Sequence, residues 1–217
     1  MRCSAPSPGI ERTATSTDLV SAQPTILAAT RLEARAIRRE LPGAHVVEGG
    51  IGLSRARGGD LGAVVVACGL AGALRPEIGT GSVLVPHAVL RPDGTLRTCD
   101  PALVEALEDA ARRMGYRPEC APLLTHTSLV TGEARRTWML RGYAGVDMET
   151  GLIDAPRVAA VRVVLDGPGR ELSSAWLRPP AARLLSSAWL DLPWLWREAP
   201  RCARLAARVL AAALRRA

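Results

Sequence analysis

Thr25-Ile-Leu-Ala-Ala-Thr30, followed at once by the Ala-, Arg- and Glu-rich stretch Leu32 to Leu41 and then by Pro42-Gly43, decides how this chain is read. A short apolar run predicts a buried strand, and the stretch after it predicts a helix that Pro-Gly stops. The alternation continues. His45 to Glu48 predicts a second strand, running into Gly49-Gly50-Ile51-Gly52. Ala63 to Cys68 is continuously apolar, the pattern of a strand covered on both faces, and Ser82 to Pro86 predicts a fourth. Pro101 to Gly115 carries Leu103, Leu107, Ala110 and Met114 at helical spacing and ends at a glycine. Leu123 to Thr131, Gly145 to Met148 and Val158 to Leu165 read as later strands, and Ala134 to Arg141 as a helix. Strands alternating with helices predict an α/β domain with helices on both faces of its sheet.

The chain has 217 residues and no mid-chain linker, so residues 24–217 read as one domain. Residues 1–23 read as a disordered leader: Met1 to Thr17 is rich in Ser, Thr, Pro and Ala and lacks the apolar core of a secretory signal. No apolar run reaches the roughly 18 residues that a membrane span needs. The basic residues are all arginine, a bias that GC-rich coding explains, yet a net charge of +7 still favours anionic partners. The five cysteines are scattered without metal-ligand or redox spacing, so reduced thiols, a cytoplasmic setting, no metal and no cofactor are expected. His45, His87 and His126 have no supporting partners in the sequence and read as ordinary surface or packed histidines.

The carboxyl-terminal segment differs in character. Four of the five tryptophans (Trp176, Trp189, Trp194, Trp196) lie there, followed by Pro200 and a cationic helix from Arg201 to Arg216. Arg201, Arg204, Arg208 and Arg215 share one helical face, and Ala203, Ala206, Leu210, Ala213 and Leu214 occupy much of the other. Two readings stand: residues 176–217 rest on an anionic membrane surface, or the helix packs against the sheet or another subunit.

In such sheets ligands bind where strand ends meet helix amino termini. Glu33, Glu149, Arg162 and Asp166 lie close to predicted strand ends, and Cys68-Gly69-Leu70-Ala-Gly-Ala73 follows a buried strand with small residues that let backbone approach a ligand. Taken singly, an acid just past a strand is more often a cap or a surface charge. The glycines Gly49, Gly50 and Gly52 are equally consistent with a plain tight turn.

Order and surroundings add a resemblance. Ile26 to Glu33 resembles the first strand and catalytic glutamate of methylthioadenosine and adenosylhomocysteine nucleosidases, and Gly49 to Gly52 resembles their next glycine turn. Ala67 to Leu74 followed by Gly81 to Pro86 is similar to the family's Gly-x-Ala-Gly-x-Leu segment and the strand after it. Val146-Asp-Met-Glu-Thr150 resembles the strand whose Met-Glu meets ribose, and Val161-Arg-Val-Val-Leu-Asp166 the strand that supplies a base-protonating aspartate. Leu165-Asp-Gly-Pro-Gly-Arg-Glu-Leu172 and the Arg- and Pro-rich tail look most like the hopanoid-associated phosphorylases, nucleosidases that remove adenine from adenosylhopane.

The resemblance implies a three-layer phosphorylase-like fold, with a central mixed β-sheet flanked by helices, in a homo-oligomer. It implies hydrolysis of the N-glycosidic bond of a 5′-substituted adenosine, with adenosylhopane, methylthioadenosine or adenosylhomocysteine as substrates. Asp166 would protonate purine N7, an acid catalysis worth about 10²–10⁴-fold. Glu33 would hold or deprotonate water, and Arg162 would orient the water and the carboxylates. Glu149 would bind ribose hydroxyls and favour an oxocarbenium-like transition state, with Met148 beneath the sugar. Gly50, Gly52, Gly69 and Leu70 would line the substrate.

This chain also departs from the pattern. Leu70 and Ala67 offer no phosphate ligand, which favours hydrolysis over phosphorolysis. The aromatic that stacks on the base is absent, with Arg135 or Trp138 near its place. The segments after Gly52 and between Glu149 and Arg162 are short, which leaves a non-catalytic nucleoside-binding or membrane-associated homologue as the other class of reading. Nucleic acid is not expected, because the arginines are not interleaved with aromatics along one element.

Overall fold

The computed structural model describes residues 23–56, 61–173 and 191–215. The expected leader up to residue 22, together with Trp176 and Trp189, lies outside them. Strand β1 (Thr25–Ala28) leads into helix α1 (Arg31–Glu40), and β2 (Val46–Glu48) into a 3₁₀ turn, Ile51–Leu53. Next come β3 (Val64–Ala73), β4 (Val83–Leu84), β5 (Ala88–Leu90), β6 (Leu96–Thr98) and α2 (Pro101–Arg113). Then β7 (Leu123–Thr125), α3 (Gly132–Leu140), β8 (Gly145–Asp147), the 3₁₀ turn Thr150–Leu152, β9 (Arg157–Asp166) and α4 (Leu192–Leu214) complete the order.

These strands form one mixed sheet, β2-β1-β3-β8-β7-β5-β6, with β9 beside β3 and β4 beside β9. Strands β1, β3 and β9 run parallel, whereas β8 meets β3, and β4 meets β9, antiparallel. The expected central mixed sheet flanked by helices is what the chain forms.

Two local devices position the site. Thr30 caps α1 in a capping box: its hydroxyl accepts from the Glu33 N–H at 3.3 Å while its own N–H donates to Glu33 Oε2 at 2.7 Å. The same bonds that start the helix therefore fix the Glu33 carboxylate. The second device is β3. The glycine segment 68–73, expected to follow a strand, continues it instead, because β9 pairs along it from Val64↔Arg157 to Gly72↔Asp166. A register shift between Ala71 and Gly72 marks a bulge beside Asp166.

Side chains alternate along β9. Val161, Val163 and Leu165 enter the larger core with Ile37, Leu107 and Leu210, whereas Arg162 and Asp166 face the other side of the sheet. Each such buried aliphatic contributes roughly 1.5–3 kcal/mol relative to exposure. Ala203, Ala206, Ala207, Leu210 and Ala213 of α4 are buried in that core, and Arg201, Arg204, Arg208 and Arg215 lie outward. Packing on the sheet, not lipid, therefore occupies the apolar face of this helix. The helix also begins earlier than expected and runs through Pro200, which has no N–H to donate to the carbonyl of Trp196. Among the described residues no helix is long and apolar enough to cross a membrane. Cys68, Cys99, Cys120 and Cys202 are free thiols.

The hairpin β5–β6 was not expected from periodicity, since each of its strands has only 3 residues. Its signal was the turn Pro92-Asp93-Gly94, where Asp93 Oδ1 accepts from the Thr95 N–H at 2.9 Å.

Candidate active site

Three distant segments meet on the β9 face opposite α4. From the start of α1, Glu33 reaches the backbone of β3: Leu70 N–H donates to its Oε1 at 2.8 Å, and Thr30 donates to its Oε2 from both backbone and hydroxyl at 2.7 Å. Glu33 is only 3% exposed, so these donors replace the water it gives up. Glycine at position 69 is what allows the approach, since a Cβ there would lie 2.1 Å from Glu33 Oε1 and 3.1 Å from Arg162 Nη1.

Arg162 stands at the centre. Its Nη2 meets Asp147 Oδ2 at 2.6 Å and Glu149 Oε2 at 3.4 Å, and donates to Thr150 Oγ1 at 3.0 Å. Burial weighs against its charge, but Asp147, Glu149 and Glu33 together raise its pKa above the ordinary value. Its buried Nε and Nη1 have no acceptor among the described residues. Glu149 comes from the end of β8 and takes an N–H from Gly52 at 3.1 Å. Burial pushes its carboxyl up to about 7; Asp147 and Glu33 add repulsion, while Arg162 and the Gly52 N–H pull the other way.

Despite the short segments around it, Glu149 lies beside Arg162. The loop that follows it closes in a 3₁₀ turn supported from elsewhere: Arg91 Nε donates to Gly151 O at 3.0 Å, Arg97 Nη1 to Ile153 O at 2.7 Å, and the Gly151 N–H to Thr125 Oγ1 at 2.7 Å. Arg91 and Arg97 flank the Pro-Asp-Gly turn of the β5–β6 hairpin, so that hairpin props the Glu149 loop.

Asp166 sits farther along β9 in a second centre. Its Oδ2 is bonded to Arg135 Nη2 and accepts the Leu172 N–H at 3.1 Å, which leaves Oδ1 for a ligand. Arg135 is 2% exposed and fully engaged: Nε donates to Val130 O at 2.8 Å, Nη1 donates to Ala73 O, and Glu171 Oε1 lies 3.3 Å from Nε. Sequence reading placed Arg135 near the position of a base-stacking aromatic but gave it no role; no short-range pattern links it to an aspartate 31 positions on. Asp147, which joins Arg162 to Thr125 and Thr150, was likewise unassigned.

Between the two centres lies a cavity of about 30 Å³ lined by Gly72, Val130, Arg135, Asp147, Met148 and Asp166. Met148, half-buried, lines that cavity. Gly52 and Leu70 present N–H groups to Glu149 and Glu33, and Gly69 gives the clearance. Gly50 is not brought to the carboxylates: it has φ +75°, and a Cβ there would strike Ser54 Oγ at 2.4 Å, so it forms the turn that presents Gly52. His87 does have a partner, Glu108 Oε1 at 2.8 Å. His87, Glu108 and Cys120 are the trio among the described residues whose ligand atoms lie close enough, within 4.8 Å, to hold a metal, but Glu108 also pairs with Arg112.

Residues 60–153 match the family description "Phosphorylase superfamily". Among curated proteins no sequence matches the chain. Several solved structures share its fold. A futalosine hydrolase mutant of Helicobacter pylori superposes with a TM-score of 0.65 at 13% identity, covering 89% of this chain and 98% of that one. A mutant of the H. pylori enzyme MTAN, with 5′-methylthioadenosine in its active site, gives 0.66 at 13% identity over 89% and 98%. The S-adenosylhomocysteine nucleosidase of Streptococcus pyogenes, in complex with 5-methylthiotubericidin, gives 0.68 at 16% identity over 88% and 95%. The sequence likeness to the phosphorylase superfamily is thus matched over residues 60–153, which hold the glycine segment and Met148-Glu149, while around Glu33 and Arg162–Asp166 the likeness to these structures is one of fold.

Proposed function

We propose that this chain is a nucleosidase that hydrolyses the N-glycosidic bond of a 5′-substituted adenosine. The observation that carries the reading is Arg162: a buried guanidinium between Glu33 and Glu149 whose Nε and Nη1 have no acceptor among the described residues. Unpaired donors inside a protein carry a penalty of about 1–3 kcal/mol each unless a ligand or water meets them. An attacking water held by Glu33 and oriented by Arg162 meets that need. Glu149, with its carboxyl near 7, offers a charge that a ribosyl cation strengthens. Asp166 Oδ1 remains for the purine, with Arg135 fixing the carboxylate's orientation.

Hydrolysis is favoured over phosphorolysis because the Leu70 N–H is already taken by Glu33, and Leu70 and Ala67 carry no anion-binding side chain. Within the substrate class we favour an amphiphilic 5′ substituent such as that of adenosylhopane, with methylthioadenosine or adenosylhomocysteine as the alternative. Among the described residues, support for a peripheral membrane contact is confined to Trp196, 78% exposed at the start of α4, because the apolar face of that helix is buried. A homo-oligomer belongs to this reading, since Leu32 and Ile51, neighbours in sequence of Glu33 and Gly52, are 37% and 45% exposed.

A second reading, nucleoside binding without turnover, is favoured by the short segments after Gly52 and between Glu149 and Arg162. The cavity beside Asp166 holds about 30 Å³, against roughly 300 Å³ or more for a small-molecule site, so both readings require it to widen for a purine. The deciding experiment incubates purified protein with 5′-substituted adenosines, including a hopanoid one, with and without phosphate, and assays free adenine. Phosphate-independent release is expected. Release only with phosphate reverses the preference for hydrolysis, and adenosine binding with no release establishes the second reading.

A further inference from the structure

On the sheet face opposite Arg162 and Asp166, a groove of about 530 Å³ runs between α4, the residues after α2 and the loop entering β4. That volume falls within the roughly 300–1,000 Å³ of small-molecule sites. Arg201, Arg204 and Arg208 line one bank, spaced so that all three lie on one stripe of α4, and Arg117 stands on the other bank. Among the described residues no Asp or Glu lines the groove. Arg201 has one distant acidic neighbour, Glu198 Oε2 at 3.5 Å. Arg117, Arg204 and Arg208 have no ion pair or hydrogen bond among the described residues.

The floor is rigid. The Gly81 N–H donates to Val164 O at 2.8 Å and Thr80 Oγ1 to Leu165 O at 2.9 Å, so Ser82 and its neighbours are anchored to β9. Like charges gathered over a concave, fixed floor repel one another until an anion lies between them. Guanidinium forks suit the oxygens of a phosphate, which several arginines can share. We propose that this groove is a binding site for a phosphate-bearing ligand, held by Arg117, Arg201, Arg204 and Arg208. It lies apart from the carboxylates of the proposed nucleosidase site and does not depend on that activity.

The test titrates the full chain with pyrophosphate by calorimetry at physiological salt, and in parallel with phosphatidylglycerol and phosphatidylcholine vesicles by sedimentation. One molecule of pyrophosphate per chain is expected to bind, and Arg204→Glu with Arg208→Glu is expected to weaken it by about tenfold or more. Arg204→Gln with Arg208→Gln provides a milder pair should the charge reversal unfold the protein. The control Arg35→Glu with Arg39→Glu, on the exposed face of α1, makes the same change in net charge and should leave binding within about twofold. Binding to phosphatidylglycerol vesicles alone, lost in the groove variants, assigns the phosphate to a lipid headgroup. Equal losses in groove and control variants, or no binding to either probe, overturn the proposal.

Discussion

Two buried arginines, Arg162 and Arg135, each hold carboxylates on the same side of the sheet, and they differ in what they leave over. Arg162 meets Asp147 and Glu149 through Nη2 alone and keeps Nε and Nη1 without acceptors. Arg135 uses Nε on Val130 O, Nη1 on Ala73 O and Nη2 on Asp166, so each of its nitrogens is engaged. A buried guanidinium with donors to spare is poised for an oxygen that arrives with a ligand. One that is fully bonded ties loops together. Residue type and burial are nearly the same in the two places; hydrogen-bond satisfaction separates the guanidinium with open donors from the one that is fully bonded.

The largest effect that separates the two centres comes from removing each arginine. Arg162→Met strands Asp147 and Glu149 in a buried site and should cost about 3–5 kcal/mol in urea unfolding, with loss of adenine release. Arg135→Met should cost less, because Glu171 is 31% exposed and Asp166 keeps the Leu172 N–H. Equal losses would erase the distinction. Next come the two close glycines. Gly69→Ala places a Cβ 2.1 Å from Glu33 Oε1, and Gly72→Ala places one 2.9 Å from Asp166 Oδ1. We expect about 1–3 kcal/mol for the first, with turnover falling further than stability, and the lower end of that range for the second.

Titration of Glu149 offers a pH test of similar size. Its folded pKa of about 7 lies above the ordinary 4.5, so between those values the native state holds a proton that the unfolded state has released. Stability therefore falls as pH rises through that window, by on the order of 3 kcal/mol, and the penalty is complete above 7. Glu149→Gln should flatten this slope in pH-dependent melting and remove the acid limb of the activity profile. A slope that survives the substitution would move the buried titration to another group. The smallest effect is expected at the rim: Glu171→Gln should change stability by less than about 1 kcal/mol, since its pair with Arg135 is partly exposed.

The part of the site carried by neighbouring residues is legible in the sequence. Thr30 and Glu33 form a capping box within one turn, so the strand-to-helix reading already put the carboxylate near a strand end. Met148-Glu149 directly follow β8, and Arg162 through Asp166 lie on β9, strands whose apolar runs are visible in the sequence. The glycine segment misled, because its small residues read as following the strand, whereas the parallel neighbour β9 extends β3 through them. Arg135 stayed hidden for a similar reason: one of two adjacent arginines in a short helix looks like surface, and only its burial beside Asp166 gives it a task.

By itself, then, the sequence determined the alternation of strands and helices, the capped start of α1 and which ionisable side chains stand at strand ends, since each follows from residues within a turn or two of one another. Tertiary structure alone decided that Arg162 keeps free donors while Arg135 has none, that the apolar face of α4 lies against the sheet, and that four arginines converge on one groove. Hydrogen-bond satisfaction, burial and charge convergence depend on which distant segments arrive together, and no local pattern along the chain encodes them.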